Sequence, residues 1–516
     1  MFLASPMVLA SKVKASRTLV PLLAGLALGG ALLSACGPGA TTTEGPPAAA
    51  GGPVLFLTAK GLNPQAGEAS PQGRLLIGRG KDYTPIAEDP KALFDRLEGS
   101  MAERRKTAWG IVEALLEPQK LTLEGKTYDV PLWHTWYEGM SANPEVDQKI
   151  KLFIAKVAAC KADAACKKTR AELAHEVMAQ AGADKNLVRS LVSENLTQVL
   201  TQSKGFDRGA PEEELGQGFT LFSPSFVEHV LAQAQGIETC SNKIPWNQPP
   251  PSASQFSPCV DEFPRNAVMV KTSWDQIDGA NPRVSAHATD AAAITAVLKG
   301  GTWPKPTLEP VTTDGIYAVQ TTDGKVFGLK SIHFSTKDTR EWIWISLWWS
   351  PKPDEDFGQD RPASLARFNG GVWSHYKMCV TTAFNETDPK PWGPYESGQP
   401  GLASAIKASY DGVYEQRNPA PYDKVTTWCS NPNLEHHVGN GRTNCIGCHQ
   451  YSVTWNELKN RETAFNDTYT ASMAAEYPQY GRALRRTNFP AEFAWSFGME
   501  FQDQIKEARE DQGFNW

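Results

Sequence analysis

Residues 445–449 read Cys-Ile-Gly-Cys-His, and no other stretch restricts so strongly what this chain can fold around. A Cys-x-x-Cys-His pentapeptide is the attachment pattern for c-type haem. Two thiols three positions apart reach two vinyl groups on one porphyrin edge and form thioethers. The adjacent imidazole then falls under the iron. With nine Cys and nine His in 516 residues, chance places this pattern in roughly one such chain in several hundred. A Cys-x-x-Cys could also be a redox dithiol or half a zinc site. A redox dithiol belongs to a βαβ setting, whereas 438–444 read as loop. A four-thiolate zinc site needs a second Cys-x-x-Cys, which the sequence lacks. The expectation is one haem c, bound through Cys445 and Cys448, with His449 as proximal iron ligand.

The N-terminal residues point to export. Lys12, Lys14 and Arg17 precede an apolar run over 19–33, interrupted only by small residues and Pro21. That run is short and Gly-rich for a membrane span. It ends in Leu33-Ser34-Ala35-Cys36, which resembles the cleavage box of bacterial lipoproteins. On that resemblance 1–35 are a signal peptide and Cys36 carries the lipid. Gly37 stands where Asp would signal retention at the inner membrane, so the expected location is the outer membrane, the periplasm or the cell surface. Stable anchoring needs more than one acyl chain, as bacterial lipoproteins have.

Charge and cysteines agree with such a compartment. Three basic and no acidic residues lie in 1–36, so the remainder carries 48 basic and 57 acidic side chains, a net −9. That balance argues against nucleic acid as a partner and suits a basic redox partner protein. Setting aside Cys36, Cys445 and Cys448 leaves Cys160, Cys166, Cys240, Cys259, Cys379 and Cys429. An even remainder in an oxidising space suggests three disulfides. Nearest neighbours would pair 160–166, 240–259 and 379–429, one of 15 possible connectivities. The first pair constrains the backbone. Six residues of unbroken helix rise about 9 Å, beyond the roughly 7 Å that a disulfide spans between Cα atoms. A bridge there requires a break near 162–164.

The pattern along the chain gives an α+β class. A Gly/Pro/Thr/Ala tether fills 36–53. Residues 54–235 are mainly helical. Apolar periodicity marks 91–116, Pro144 opens a helical stretch to about 180, 186–202 is another, and Ser223-Pro224-Ser225 caps a third. Residues 121–137 read as extended, with a turn at 124–126. Residues 236–428 are β-rich and dense in Pro and Gly. Strands are expected over 266–274, 316–321, 326–335 and 341–349, with 322–325 as a hairpin turn. Residues 429–516 form the haem-binding segment of cytochrome c type, with short helices at 465–476 and 501–510.

Four segments together carry a likeness. They are Trp133-His134-Thr135-Trp136-Tyr137, the run 262–274 from Glu262-Phe263-Pro264 to Ser273-Trp274, and Gly328-Leu329-Lys330-Ser331-Ile332-His333-Phe334 running on to Trp342-Ile343-Trp344. The Cys-x-x-Cys-His closes the series. In that order they resemble large, secreted, single-haem cytochrome c family proteins of bacteria, over about 130–500. The resemblance implies a covalent haem and electron transfer. Trp348-Trp349 departs from the Phe-Glu-His-like ending expected of that strand.

The ligand on the other side of the iron separates a carrier from a catalyst. Met499, 50 residues past His449, has the spacing of a distal Met; Met473, 24 past, is a nearer one. His333 could be presented by its strand, and His436, His437, His375 and Met378 are weaker candidates. The plain alternatives are core packing for the methionines, exposed loop positions for His436 and His437, and a hydrogen-bonded sheet histidine for His333. The tryptophans over 342–349 could wall the haem, stack sugars or simply fill a core. Asp354-Glu355-Asp356 with Asp360 could bind calcium, though the spacing has no EF-hand pattern. Glu212-Glu213-Glu214 suits the first turn of a helix. The expected function is a membrane-tethered cytochrome that passes single electrons. The alternative is a peroxidase- or oxidase-like haem enzyme with an open distal face, its substrate held by the β-rich region.

Overall fold

Residues 343–349, Ile-Trp-Ile-Ser-Leu-Trp-Trp, are apolar at six of seven positions, the pattern of a strand covered on both sides. In the computed structural model this stretch is an interior strand of the main sheet, paired on both sides. The structure describes residues 81–123, 126–138, 144–180, 220–239, 257, 259–277, 281–312, 314–320, 326–416, 425–434, 440–442, 444–450, 452, 489, 491–494, 496 and 501–516. Cys36, Cys240, Met473, Met499, His436, His437, Glu212-Glu213-Glu214, the tether and the helices expected at 186–202 and 465–476 lie outside the described residues.

The strands are β1 (Pro118–Leu123), β2 (Lys126–Pro131), β3 (Tyr137–Glu138), β4 (Thr220–Phe222), β5 (Val268–Gln276), β6 (Arg283–Ala286), β7 (Thr307–Pro310), β8 (Ala318–Gln320), β9 (Val326–Thr336), β10 (Ile343–Trp349) and β11 (Tyr376–Thr381). A seven-stranded sheet runs β11-β10-β9-β5-β4-β3, with β8 also paired to β9. Its pairings are antiparallel. β1 with β2 and β6 with β7 form separate two-stranded ribbons. β3 and β4 come from the mainly helical stretch and join the same sheet as the β-rich one. The fold is α+β.

Helices follow their caps. The periodicity of 91–116 suggests one helix, but the chain forms two, Pro90–Glu98 and Met101–Leu116. Gly99 and Ser100 separate them, and the Ser100 side chain accepts from Glu103 N and starts the second. Ser223 caps Pro224–Ala232 in the same way. Helices Pro144–Ala162 and Arg170–Ala179 flank the Cys160–Cys166 disulfide, whose Cα atoms are 5.2 Å apart. The backbone turns between them, as a bridge six residues apart requires. Cys379 is bridged to Cys429, and Cys259 is also in a disulfide. Residues 501–510 were expected to be helical; the helix is Gln502–Asp511.

Alternation along the strands builds a different core on each side of the sheet. Ile343, Ile345, Leu347 and Trp349 of β10 pack with Ile332 and Phe334 of β9 and with helix Met101–Leu116. Trp344 and Trp348 face the other way, into a core with Phe226, Phe263, Cys445 and Phe493. Ser346 shares that second face, opposite His333 of β9.

Buried ion pairs hold the first core's helix in place. Arg104 pairs with Glu386, and Arg105 pairs with Asp360 at 2.6 Å. Arg105 also donates to the carbonyls of Met378 and Phe357. Asp356 pairs with Lys377 at 2.7 Å and accepts from Thr289. Elsewhere in the acidic run 354–360, Asp354 pairs with Arg361, and Glu355 lies near Lys352 at the surface. Among the described residues no helix is long and apolar enough to cross a membrane.

Candidate haem-attachment site

The chain reaches its Cys-x-x-Cys-His along a strap, residues 425–434, laid crosswise over the sheet. Cys429 is bonded to Cys379 of β11, their Cα atoms 5.4 Å apart. Asn431 Nδ2 donates to Ser346 Oγ at 2.8 Å and to the Leu347 carbonyl at 3.0 Å on β10. Asn433 Nδ2 donates to Ser331 Oγ on β9 at 2.7 Å. Lys271 Nζ, from β5, donates to the Leu434 carbonyl at 3.3 Å. Each of four successive strands thus contributes at least one tie. Small polar residues in otherwise apolar strands mark where the strap crosses, because a buried backbone segment needs partners for its polar groups.

The next elements fix the motif's direction. Gly441 N donates to the Gly301 carbonyl at 3.1 Å, and a Cβ at Gly441 would lie 2.3 Å from Val297 Cγ1, so only glycine fits this approach. Arg442 donates to the carbonyls of Leu298 and Lys299, each at 2.6 Å, at the end of helix Ala291–Gly300. A cation there also suits the helix dipole. Asn444 then caps the short helix Cys445–His449. Its side chain accepts from Gly447 N at 3.0 Å, and its Nδ2 donates to the Thr427 carbonyl at 2.6 Å. One asparagine both starts the helical turn and ties it to the strap. That turn brings Cys445, Cys448 and His449 toward a common side. Cys445 is buried and Cys448 is partly exposed.

His449 is held from two directions. Its Nδ1 lies 2.8 Å from the Phe493 carbonyl oxygen. A carbonyl only accepts, so Nδ1 carries the proton and Nε2 keeps its lone pair. The ring packs on Trp344 of β10, with centroids 4.3 Å apart. Burial pushes the imidazole down to about 4, the Phe493 contact opposes this, and the Lys271 cation adds to the depression. A neutral ring with a fixed tautomer is what metal ligation through Nε2 requires. Two thiols at thioether spacing and one Nε2 donor beside a tryptophan wall form a donor set that fits a c-type haem.

The strand candidates divide between the two faces. His333 of β9 is half-buried and lies opposite Ser346 on one side and Lys271 on the other. It therefore shares the face of Trp344, on which His449 rests. Met378 lies opposite Leu347, and its side chain belongs to the core on the far face. His375 ends a short helical segment beside Gly315, away from the strap. Within the tryptophan run, Trp344 touches His449 and Trp348 packs on Phe357, while Trp349 donates to the Gly315 carbonyl from the other face.

Sequence reading missed the Phe493 carbonyl, the strap and the buried Glu492 beside Phe493. A main-chain carbonyl leaves no residue-type signal. Asn444 was legible in principle, as an N-cap residue directly before Cys445. Compared with known proteins, the chain significantly matches no family model, no curated protein and no solved structure.

Proposed function

We propose that this protein is a c-type cytochrome lipoprotein that binds one haem covalently and passes single electrons in the bacterial periplasm or at the cell surface. The observation that carries the reading is the His449 Nδ1 contact with the Phe493 carbonyl at 2.8 Å, within a Cys-x-x-Cys-His turn. When bound, a haem supplies reversible one-electron change at its iron. Cys445 and Cys448 would hold its edge through thioethers. His449 Nε2 would ligate the iron, with Phe493 keeping the proton on the other ring nitrogen. Trp344, packed against that imidazole, would restrict its rotation.

His333 and Met499 are the residues that would supply a further ligand to a bound haem. His333 is supported by its place on the Trp344 face, and Met499 by its spacing of 50 residues from His449. A filled position suits a carrier. The same His333 also favours a second reading, a peroxidase- or oxidase-like enzyme. Standing off the iron, it would be an acid–base group beside an open site. Lipid at Cys36 would tether the protein to a membrane, and the net −9 of the residues after it suits a basic redox partner.

Optical spectra of the holoprotein in both redox states, with and without carbon monoxide, test the choice. The carrier reading expects ferrous bands that carbon monoxide leaves unmoved. Rapid carbon monoxide binding overturns it in favour of the enzyme.

A further inference from the structure

The turn that supplies the Phe493 carbonyl is unusually costly for its length. Glu492 and Phe493 both have positive φ, 49° and 68°, a region that side chains other than glycine, asparagine and aspartate avoid. The turn closes with Glu492 N donating to the Phe489 carbonyl and Ala494 N to the Ala491 carbonyl, each at 2.8 Å. Glu492 is also wholly buried. A lone carboxylate in such a place is strongly unfavourable unless it is paired and hydrogen-bonded.

Glu492 has that pairing. Lys337 Nζ donates to Oε1, Phe263 N donates to Oε2 at 3.2 Å, and Trp342 Nε1 approaches Oε1 at 3.4 Å. Lys337 comes from the β9–β10 connection, is itself buried, and also donates to the Arg340 carbonyl at 2.6 Å. Its further carboxylate partner is Glu262, at 3.0 Å, which also meets Arg340 at 3.8 Å. Trp342, whose φ is 65°, lies under the Lys337 cation and is two residues from Trp344. A strained turn and a buried ion pair therefore converge on the residue next to the carbonyl that holds His449. Burial pushes the Glu492 carboxyl up to about 7 against the pull of Lys337.

We propose that Glu492 and Lys337 are positioning residues for His449: their ion pair clamps the turn so that the Phe493 carbonyl holds the Nδ1 proton and thereby sets how strongly Nε2 donates to a haem iron. This rests on the haem reading above. A firmer Nδ1–H contact makes the imidazole a better donor and favours ferric iron. A buried carboxylate nearby acts in the same direction.

The test is Glu492→Gln in the full-length chain. In the haem-loaded protein the expected result is an upward shift of the midpoint potential. In the chain without haem, nitrogen NMR of His449 should show loss of the slowly exchanging Nδ1–H signal that the wild type gives. Glu386→Gln, which breaks the ion pair with Arg104 elsewhere, serves as the stability control. It should lower the melting temperature and leave both readouts alone. Should Glu492→Gln fail to fold, Glu492→Gln with Lys337→Met leaves no buried charge uncompensated and is expected to lose the same Nδ1–H signal. An Nδ1–H signal in folded Glu492→Gln that matches the wild type overturns the proposal whatever the potential does, because loss of a buried charge shifts the potential by itself. If the wild type takes up no haem, the haem reading fails, while the nitrogen spectra still decide whether Glu492 positions His449.

Discussion

The disulfide between Cys379 and Cys429 fastens the strap to β11, the edge strand of the sheet, and closes a loop whose ends are 50 residues apart. By loop-closure entropy such a bridge contributes about 4 kcal/mol. Cys379→Ser with Cys429→Ser is therefore expected to lower the unfolding free energy by about that amount, measured by denaturant titration of the oxidised protein. The yield of covalent haem should fall with it. A loss well under 1 kcal/mol would mean that the ties at Asn431 and Asn433 hold the strap unaided.

Trp344 is the wall on which His449 rests. Replacing it with Ala removes a buried indole at a cost of roughly 3–5 kcal/mol, read from urea unfolding. It also frees the imidazole to rotate, so circular dichroism in the Soret region of the holoprotein should change. Trp344→Phe keeps an aromatic face and should change both readouts less. A Soret spectrum indifferent to Trp344→Ala would place the haem away from this wall.

Arg105 and Asp360 test the other core. Arg105→Met strands a nearly buried carboxylate that retains only Trp109 Nε1, at 3.1 Å, from its present donors on helix Met101–Leu116. The expected loss is roughly 3–5 kcal/mol. Arg105→Met with Asp360→Leu removes both charges and should recover much of it. A double-mutant cycle in urea measures the coupling, and independent, additive losses would contradict the pairing.

Acid should weaken the fold through histidines that are half-buried in the folded chain. Burial pushes His287 down to about 4, with the Lys330 cation acting in the same direction and Asp275 opposing it. Its ordinary value is 6.5, so the unfolded chain takes up a proton before the folded one does. The stabilising difference is present above pH 6.5 and is lost as pH falls toward 4. It is worth on the order of 1.4 kcal/mol for each pH unit between the two values. His229, also pushed down to about 4, contributes with the same sign. Thermal melts from pH 7 to pH 4 should show this decline, and His287→Phe, packed on Trp303, should flatten it.

What could be read from the sequence follows the range of the interactions involved. The Cys-x-x-Cys-His turn is local, so its spacing alone announced it. The break at 162–164 followed from the reach of a disulfide set against the rise of a helix. The strands of the β-rich stretch were visible from composition and alternation, but β3 and β4 are too short to carry a pattern. The division of 91–116 into two helices depends on Gly99-Ser100, whose capping signal was overridden by a continuous apolar period. Pairing was the harder matter. Nothing local tells Ser331 and Ser346 that a strap will cross them, or tells Phe493 that its carbonyl will meet His449, because those partners lie far away in sequence. No local pattern marks Glu492 and Lys337 as partners, because they lie 155 residues apart.

Covalent attachment of haem at 445–449 is the central expectation for this protein. The direct measurement is mass spectrometry of the peptide containing that segment, from protein matured in a host with working cytochrome c assembly, together with its pyridine haemochrome spectrum. The expected result is one haem mass on the peptide carrying both Cys445 and Cys448, and the band position of a haem joined by two thioethers. Bare thiols, or a Cys445–Cys448 disulfide, in protein that has passed through that machinery would contradict it.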